Sequence, residues 1–367
     1  MDSGRLHLHH SPMKALILAG GKGTRLRPIT FTRAKQLVPV ANKPILFYAV
    51  EAIRDAGINE IGVIVGDTAD EVMAALGDGS HWGVSITYIP QESPLGLAHA
   101  VKIAEEFMAG DPFVMYLGDN LIADGINRFV DEFLSNDCDA QILLAHVPNA
   151  NQFGVAELGP DGGIVRLIEK PDDPPSDLAL VGVYLFNSRV FQAVNTIEPS
   201  ARGELEITDA IQWLVDQGHS VLPHVIDGWW KDTGKLEDML EANRIMLDAM
   251  KPLQASSPGE GAAIHGRVGI GEATTIINSV VRGPAIIGDG CEVRDAYIGP
   301  YTSVGDGCKV LGSEVEHSIM LRDSRIEGLR ARMADSLLGV NAVVRRTPAV
   351  HQALRVMIGD NSEVDLG

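Results

Sequence analysis

A glycine-rich segment with basic side chains follows the first apolar run of the chain, in LILAGGKGTRLRPIT at residues 16–30. Gly20, Gly21 and Gly23 can adopt backbone conformations closed to other residues, and their bare N–H groups can close on phosphate oxygens. Arg25 adds a cation that can hold an anion with two donors. The spacing matches neither the dinucleotide-binding fingerprint nor the P-loop. Taken alone, the segment is therefore either an anion-binding loop or an ordinary strand-to-helix turn.

Short apolar runs alternate with helical patterns from Met13 to about residue 250, and these elements must position the glycine-rich segment. The alternation predicts an α/β fold with a Rossmann-like mixed sheet and helices on both faces. In GLAHAVKIAEEFMAG, apolar residues recur at steps of four, three and four, which predicts one amphipathic helix. Ligands of such sheets bind at the carboxyl ends of the strands, so we expect the glycine-rich segment, Gln91 and the GDN of residues 118–120 at that edge. The runs typical of buried strands are KALILAG, EIGVIVG, SITYIPQ, PFVMYLGDN, AQILLAHV, LVGVYLF and SVLPHVI.

A seventeen-residue repeat replaces the helical pattern after the Ser-, Gly- and Pro-rich segment LQASSPGEGA. Each repeat carries three aliphatic residues about six positions apart, with turns between them. Three short strands per coil, stacked in register, predict a left-handed parallel β-helix of the hexapeptide type with about four coils. The predicted inward rows are Ile264, Val281, Ile298 and Val315; Ile270, Ile287, Val304 and Leu321; and Ile276, Val293 and Val310.

These patterns divide the chain into segments, and they place two cysteines together. Cys291 and Cys308 are also seventeen residues apart, so they should stack in adjacent coils, either as free thiols or as a disulfide. The cytoplasm, the compartment that we expect for this protein, is reducing and favours free thiols.

The predicted segments are a disordered extension at 1–12, the α/β domain at 13–250, a linker at 251–263, the β-helix at 264–346 and a C-terminal tail at 347–367.

Composition limits the classes of partner. The chain has 367 residues, and its 49 acidic and 30 basic side chains give a net charge of −19. This charge argues against nucleic acid or an anionic membrane surface as a partner. Three cysteines make no disulfide framework, and no segment resembles a secretory signal or a membrane span. We therefore expect a cytoplasmic protein.

A series of motifs identifies a family resemblance that covers nearly everything from Met13 to about residue 345. The chain resembles the sugar-1-phosphate nucleotidylyltransferases, and among them the long-form thymidylyltransferases that carry a C-terminal β-helix. The likeness implies that the α/β domain is a nucleotidyltransferase catalytic domain. The motifs, in the order that the family shows, are G-x-G-T-R-L-x-P-x-T, KQLVPVANKP (35–44), PQESPLGLAHA (90–100), YLGDN (116–120), FGVAEL (153–158), IEKP (168–171), GVYLF (182–186), ARGELEITDA (201–210) and WWKDTG (229–234).

The resemblance implies a reaction between dTTP and glucose 1-phosphate that yields dTDP-glucose and pyrophosphate and feeds deoxysugar synthesis. The sugar phosphate would attack the α-phosphorus of the triphosphate. Its second pKa is about 6, so it is largely dianionic at neutral pH and needs no general base. The protein must then align two anions and neutralise their charge.

The resemblance also assigns roles to residues. Asp119 and Asp232 would hold Mg²⁺, which binds through one or two carboxylates together with phosphate oxygens. Arg25 and Lys35 would bind the β- and γ-phosphates and stabilise the leaving pyrophosphate. Lys170 would hold the sugar phosphate. The implied nucleotide-binding residues are Gly20, Gly21, Gly23, Thr24, Gln91 and Gly96, and the implied sugar-binding residues are Asn120, Gly154, Glu169 and Tyr184.

Alternatives remain open. Phe153, Leu95 and His99 differ from the residues of many shorter relatives, which leaves base and sugar selectivity unsettled. One alternative is a related enzyme that uses UTP or an amino-sugar phosphate, and another is a non-catalytic regulatory subunit. We expect a homo-oligomer. We also expect that loss of the residues after about 250 alters assembly or stability more than nucleotide chemistry.

Overall fold

The computed structural model describes residues 13–21, 23–123, 125–251, 256–346 and Ser362, and these fall into two compact units. Among the described residues, the first unit contains those before Gly23 and those of the segment Leu46–Asp232. The second unit combines Gly23–Ile45 with the described residues from Thr233 to Arg346. Thus a segment near the amino terminus belongs to the same unit as the β-helix.

Part of the predicted domain division falls outside the described residues. The predicted extension at 1–12 lies there, as does the predicted tail at 347–367 apart from Ser362. Residues 252–255 of the predicted linker also lie outside. The domain bounds therefore stay a prediction. In the described part of the chain, no helix is both long and apolar enough to cross a bilayer.

Strands and helices alternate through residues 13–249, with short 3₁₀ turns between them. The first half contains β1 (Lys14–Leu18), β2 (Pro39–Val40), β3 (Lys43–Pro44), α1 (Ile45–Asp55), β4 (Glu60–Val65), α2 (Ala69–Leu76), β5 (Ser85–Pro90), α3 (Leu97–Ile103), α4 (Glu105–Met108), β6 (Phe113–Leu117), β7 (Asn120–Ile122) and α5 (Asn127–Ser135). The second half contains β8 (Ala140–His146), β9 (Gly154–Leu158), β10 (Ile164–Glu169), β11 (Leu178–Phe186), α6 (Val190–Thr196), α7 (Ile207–Asp216), β12 (Val221–Val225), β13 (Trp230–Asp232) and α8 (Leu236–Ala249).

Nine strands of the first unit form one mixed sheet, which confirms the predicted α/β class. The strand order is β10-β9-β11-β6-β1-β4-β5, and β8 pairs with both β11 and β12. Strands β6, β1, β4 and β5 run parallel, whereas β11 runs antiparallel to β6 and β8. The core beside the sheet contains fully buried residues of the strands and of the helices α3, α4 and α7, among them Val101, Met108, Phe113, Phe186 and Ile211.

All seven predicted strands belong to this sheet, and three details differ from prediction. The pattern misses β9 and β10, because IVRLIE of β10 is half-exposed and shows neither a continuous apolar run nor a clean alternation. Strand β5 was expected to be buried, but it is an edge strand and each of its residues is partly or fully exposed. The single helix expected after Gly96 is divided into α3 and α4 at Ala104.

The second unit contains stacked parallel strands, which confirms the predicted β-helix. Three sheets have the orders β14-β17-β20-β23, β15-β18-β21-β24-β26 and β16-β19-β22-β25-β27. The strands are β14 (Ala263–His265), β15 (Val268–Ile270), β16 (Thr275–Ile277), β17 (Val280–Arg282), β18 (Ala285–Ile287), β19 (Glu292–Arg294), β20 (Tyr297–Ile298), β21 (Thr302–Val304), β22 (Lys309–Leu311), β23 (Glu314–Val315), β24 (Ile319–Met320), β25 (Arg325–Glu327), β26 (Leu337–Leu338) and β27 (Val343–Arg345).

One predicted row is wrong at its end. Val304 pairs with Met320 rather than with Leu321, because Met320 follows Val315 by five residues whereas Val304 follows Ile298 by six. The stack also continues beyond Leu321, through Ile326 and the strands β26 and β27. The shortened coil breaks the seventeen-residue spacing, and for that reason the sequence pattern fades before the β-helix ends.

The stacked cysteines are free thiols. Cys291 and Cys308 are both buried, and neither forms a disulfide. The Cys291 thiol donates to the carbonyl of Gly305, and the Cys308 thiol donates to the carbonyl of Leu321, each over 3.1 Å. Burial raises the pKa of Cys291 to about 12, so this thiol stays protonated near neutral pH.

Candidate active site

The carboxyl ends of four parallel strands bring several of the predicted site residues to one edge of the sheet. The amide of Gly118, which follows β6, donates to the carbonyl of Leu18 at the end of β1 over 3.0 Å. Gly20 and Gly66 approach so closely that a Cβ on Gly66 would lie 3.0 Å from the Gly20 carbonyl oxygen. The Gln91 Oε1 atom lies 3.7 Å from the position of a Cβ on Gly20. The start of the glycine-rich segment, Gln91 and the GDN motif therefore surround the same end of the sheet.

Two carboxylates lie close to each other at this edge, because Asp119 directly precedes β7 and Asp232 ends β13. Strands β7 and β13 pair antiparallel, with Asp232 opposite Asn120, so Asp232 is brought beside the residue that follows Asp119. The Asn120 Nδ2 atom donates to Oδ1 of Asp119 over 2.8 Å. Among the described residues, no group of three or more His, Cys, Asp and Glu side chains could hold a metal ion by itself. Two carboxylates nevertheless fit Mg²⁺, which takes its other ligands from phosphate oxygens and water.

Asn120 is buried, and both polar atoms of its side-chain amide form hydrogen bonds. Besides its bond to Asp119, it accepts a hydrogen bond at Oδ1 from Nε1 of Trp230 over 2.6 Å. The Trp230 ring contacts Phe153 edge-on, with ring centroids 5.4 Å apart. Trp230 thus forms part of the site wall. The observed contacts of Asn120 make it an orienting group for Asp119, and its contact with the sugar stays a prediction.

Gly182 of β11 leaves the space that the Asn120 amide occupies. A Cβ on Gly182 would lie 2.7 Å from both Cγ and Oδ1 of Asn120. We expect Gly182→Ala to displace the amide and with it Asp119, and a misplacement of about 1 Å can cost roughly a hundredfold in rate. Initial rates of pyrophosphate release, with a thermal melt of each variant, test this expectation. Gly163→Ala is the matched control, because its Cβ would meet only ordinary contacts, and equal rates for the two variants would exclude the orienting role.

Lys170 and Glu169 lie at the end of β10. Glu169 pairs with Gly154 of β9, and the Lys170 amide donates to the carbonyl of Phe153 over 3.0 Å. The Lys170 Nζ atom is 3.3 Å from Oε1 of Glu169. Lys170 has φ of 42°, a left-handed conformation that residues other than glycine rarely adopt and that is concentrated at functional sites. The structure therefore brings together the predicted sugar-phosphate cation and two predicted sugar-binding residues.

Arg202 is a candidate site residue that sequence reasoning missed. Its Nη1 atom is 3.4 Å from Glu169 and 3.3 Å from Glu206, and its Nη2 atom is 3.2 Å from Glu204. The pKa of Glu206 is raised above its usual value, chiefly by burial and also by the charge of Glu169. Hydrogen bonding from Ser200 and the charge of Arg202 offset part of this rise. Arg202 belongs to the ARGELEITDA motif, so the sequence already contained a signal that this residue could be part of the site. Its position beside Glu169 makes it a second cation near Lys170.

A histidine contacts the residue predicted to bind the base. The Gln91 Nε2 atom is 3.0 Å from Nδ1 of His99 and 3.3 Å from the carbonyl oxygen of Gly96. Burial, with a smaller contribution from the charge of Lys102, lowers the pKa of His99, so its ring is neutral near pH 7. An amide nitrogen can only donate, so Nδ1 of His99 accepts. The Gln91 oxygen then faces Gly20, where it remains an acceptor.

Tyr184 is placed in the core of the first unit. It is buried, and its ring stacks on Phe186 with centroids 6.1 Å apart. Burial and the neighbouring Glu169 raise its pKa strongly. The structure thus puts Tyr184 near Glu169, and its predicted hydrogen bond to a sugar hydroxyl stays a prediction.

The remaining predicted residues form a local structure in the second unit. Gly23 has φ of 60°, and a Cβ on it would lie 2.9 Å from Cβ of Lys35. The Thr30 hydroxyl donates to the carbonyl of Gly23 over 2.6 Å. Thr24 and Arg25 lie in the exposed 3₁₀ turn Thr24–Leu26. The stretch from Gly23 to Lys35 therefore folds on itself, and the side chain of Lys35 contacts its first residue.

Comparison with known proteins agrees with these observations. The model of a family described as nucleotidyl transferase matches residues 14–249. A glucose-1-phosphate thymidylyltransferase of Streptomyces antibioticus is 55% identical over 96% of this chain and 99% of its own length, and one of Streptomyces griseus is 52% identical over the same shares. A crystal structure of a Bacillus anthracis protein assigned as a glucose-1-phosphate thymidylyltransferase, in complex with sucrose, has a TM-score of 0.60 at 39% identity and covers 63% of this chain and 94% of that one. With matches of this extent, which confirm the resemblance seen in its motifs, the chain belongs to the nucleotidyl transferase family.

Proposed function

We propose that the protein transfers a thymidylyl group from dTTP to glucose 1-phosphate, with dTDP-glucose and pyrophosphate as products. The observation that carries the proposal is the pairing of β7 with β13, which brings Asp232 beside the Asp119–Asn120 pair at the carboxyl edge of the sheet. The printed names of the Streptomyces relatives, which match this chain over almost its whole length, support the same activity.

The chemistry is an in-line displacement. A phosphate oxygen of glucose 1-phosphate forms the new bond to the α-phosphorus, and the bond from that phosphorus to the bridging oxygen breaks. The electron pair leaves with pyrophosphate. The attacking group is already an anion near neutral pH, so no side chain removes a proton. The work of the protein is to hold two anions in line and to offset their repulsion.

Lys170 and Arg202 would hold the sugar phosphate. Both cations contact Glu169, which keeps their charges beside the place where the sugar binds. Glu169, Gly154, Asn120 and Tyr184 are the proposed partners of the sugar hydroxyls. A cation that is held by a carboxylate is already oriented before the substrate arrives, and orientation of this kind raises the rate.

Mg²⁺ is the proposed cofactor. Asp119 and Asp232 would hold it, and the ion would neutralise charge on the triphosphate. Asn120, fixed by Trp230, keeps the Asp119 carboxylate in place. This part of the proposal rests on the chemistry of the two carboxylates.

The triphosphate side of the proposal uses the glycine-rich segment and Gln91. Arg25 and Lys35 would bind the β- and γ-phosphates and stabilise the leaving pyrophosphate. The Gln91 oxygen would accept from the imide N–H of thymine. Backbone N–H groups would donate to phosphate oxygens, and the residues proposed for this role are Gly20, Gly21, Gly23 and Thr24. Gly96, which has no side chain, would let the backbone approach the base. Assembly as a homo-oligomer and a place in the cytoplasm complete the proposal, and both rest on the sequence.

Pyrophosphate release tests the proposal directly. The assay contains Mg²⁺ and compares dTTP, UTP, ATP, CTP and GTP, each with and without glucose 1-phosphate. Sugar-dependent release that is fastest with dTTP is the expected result. Fastest release with UTP would favour a uridylyltransferase. Uracil has the same imide edge as thymine and lacks only its methyl group, which is worth about 1–3 kcal/mol in a pocket. No release with any pair, from a folded sample, would favour a regulatory subunit.

His99 is expected to matter for nucleotide affinity through Gln91. His99→Leu removes the acceptor that orients the Gln91 amide, and loss of one such hydrogen bond, worth about 1 kcal/mol, should raise the KM for dTTP roughly fivefold. The KM for glucose 1-phosphate should not change. His99→Gln keeps an acceptor and should restore much of the affinity.

The same contact predicts a pH dependence. The pKa of His99 lies below its usual value, so the ring accepts from Gln91 near pH 7 and gains a proton only on the acid side. The KM for dTTP should therefore rise as the pH falls below the usual pKa of a histidine, and it should rise more steeply in the unmodified protein than in His99→Leu. The same profile in both proteins would exclude His99 as the orienting group.

A further inference from the structure

The segment Gly23–Ile45 is folded against the β-helix in the second unit, although the α/β domain was expected to contain it. Strands β2 and β3 form a hairpin whose turn residues, Ala41 and Asn42, have φ of 46° and 60°. Neither is glycine, so this left-handed turn carries a cost that surrounding contacts must offset. Hydrogen bonds from Ala41 to α8 and from Asn42 to the β-helix offset this cost.

Asn243 on α8 holds one side of this turn. The residue is fully buried, and its Oδ1 atom accepts from the amide of Ala41 over 2.8 Å and from the hydroxyl of Ser303 over 2.6 Å. Its Nδ2 atom donates to the carbonyl of Tyr301 over 3.0 Å. One side chain thus joins the hairpin to the third coil of the β-helix, and its Oδ1 atom accepts from both only while both are in place.

Asn42 and Ile29 make two further contacts. The Asn42 Nδ2 atom donates to the carbonyl of Val304 in β21 over 2.7 Å. The Cδ1 atom of Ile29 is 3.4 Å from the position of a Cβ on Gly339, near the last coil. These anchors lie on either side of Lys35 in the chain, and Arg25 precedes Ile29 by four residues. The β-helix therefore holds the segment on both sides of Lys35 and four residues after Arg25.

We propose that the β-helix, through Asn243 and Asn42, positions the segment that carries Arg25 and Lys35 and thereby sets the affinity for the triphosphate. The inference rests on the proposed function, since it assumes that these two cations bind phosphate. Asn42 and Asn243 are positioning residues, because they act through the segment and touch no substrate. We expected loss of the residues after about 250 to alter assembly or stability more than nucleotide chemistry. Under this proposal, nucleotide binding weakens as well.

Asn42→Gly tests the hydrogen bond between Asn42 and Val304 by itself. Glycine adopts the left-handed conformation without strain, so the variant loses the hydrogen bond to Val304 and keeps the turn. Asn278→Gly is the matched control: Asn278 lies in a β-helix turn with φ of 46°, and its amide donates to Asp295 in the next coil. Both substitutions remove a hydrogen bond that a side-chain amide donates from a left-handed turn of the same unit.

The expected result is that Asn42→Gly raises the KM for dTTP roughly fivefold, the size expected for one hydrogen bond, and leaves the KM for glucose 1-phosphate at the control value. Both variants should melt at similar temperatures. A purely structural role for Asn42 predicts a different outcome, namely a lower melting temperature with the same KM for dTTP as the control. Equal KM values for dTTP in the two variants would overturn the proposal.

Hydrogen exchange measures the coupling without any assay of turnover. In the full chain without nucleotide, Asn42→Gly should speed amide exchange in residues 24–37 and leave the strands of the first unit unchanged, whereas Asn278→Gly should affect neither. Unchanged exchange in residues 24–37 would also overturn the positioning role. If the unmodified protein releases no pyrophosphate while exchange responds as expected, the coupling stands and the proposed function is what fails.

Discussion

Asp119→Ala is expected to lower the turnover number at least about a hundredfold, which is the usual effect of removing one electrostatic contact to a phosphoryl transition state. The substitution removes one of the two carboxylates that β7 and β13 bring together. It also deprives the buried Asn120 amide of the acceptor that it contacts over 2.8 Å. Initial rates of pyrophosphate release at saturating dTTP and glucose 1-phosphate measure the effect.

A second acidic residue provides the control for Asp119. Asp177 is mostly exposed and pairs with His146 on the surface, so Asp177→Ala makes the same chemical change away from the site. It should leave turnover and the thermal melt unchanged. Near-normal turnover in Asp119→Ala, in a sample that melts like the control, would reject the metal assignment. Asp119→Asn separates charge from shape, because it retains the volume and should remain nearly as slow as the alanine variant.

Lys170→Ala is expected to lower kcat/KM for glucose 1-phosphate by about a hundredfold to a thousandfold, because the attacking phosphate loses the cation that offsets repulsion between the two anions. The expected effect on the KM for dTTP is small. The residue has φ of 42° in the protein, and alanine is strained there as much as lysine, so the substitution chiefly removes the charged side chain. Steady-state kinetics with each substrate varied in turn measure the change.

Lys309 provides the control for Lys170. It lies in the β-helix and pairs with Glu292 over 3.0 Å, so Lys309→Ala removes an equivalent ion pair remote in sequence from the proposed sugar site. Exposed ion pairs contribute little to stability, and we expect this variant to be fully active. If Lys170→Ala raises the KM for dTTP as much as that for glucose 1-phosphate, then Lys170 does not act on the sugar phosphate. Combining Lys170→Ala with Arg202→Ala would then establish whether Arg202 carries the role instead.

Much of the fold and part of the site were accessible from local sequence. The inner strands, such as β1 and β6, were found because continuous apolar runs record burial on both faces of a sheet. The three rows of the β-helix were found because each coil repeats the same inward positions, as the pairs Ile270 with Ile287 and Val293 with Val310 illustrate. The meeting of Gly20, Gln91 and Gly118 also followed, since neighbouring parallel strands end at one edge.

Particular side-chain hydrogen bonds and ion pairs between residues distant in the chain were not accessible. Asn243 bonds to Ala41 across 202 positions, and neither residue interrupts any local pattern. Arg202 reaches Glu169 only because the chain between them returns to the end of β10. Hydrophobic periodicity reports which face of an element is buried, but it does not report which other element buries it. The apolar patterns were therefore enough to predict the sheet and the coils. The assignment of Gly23–Ile45 to the β-helix unit instead depended on hydrogen bonds of Ala41 and Asn42 that only the folded chain brings together.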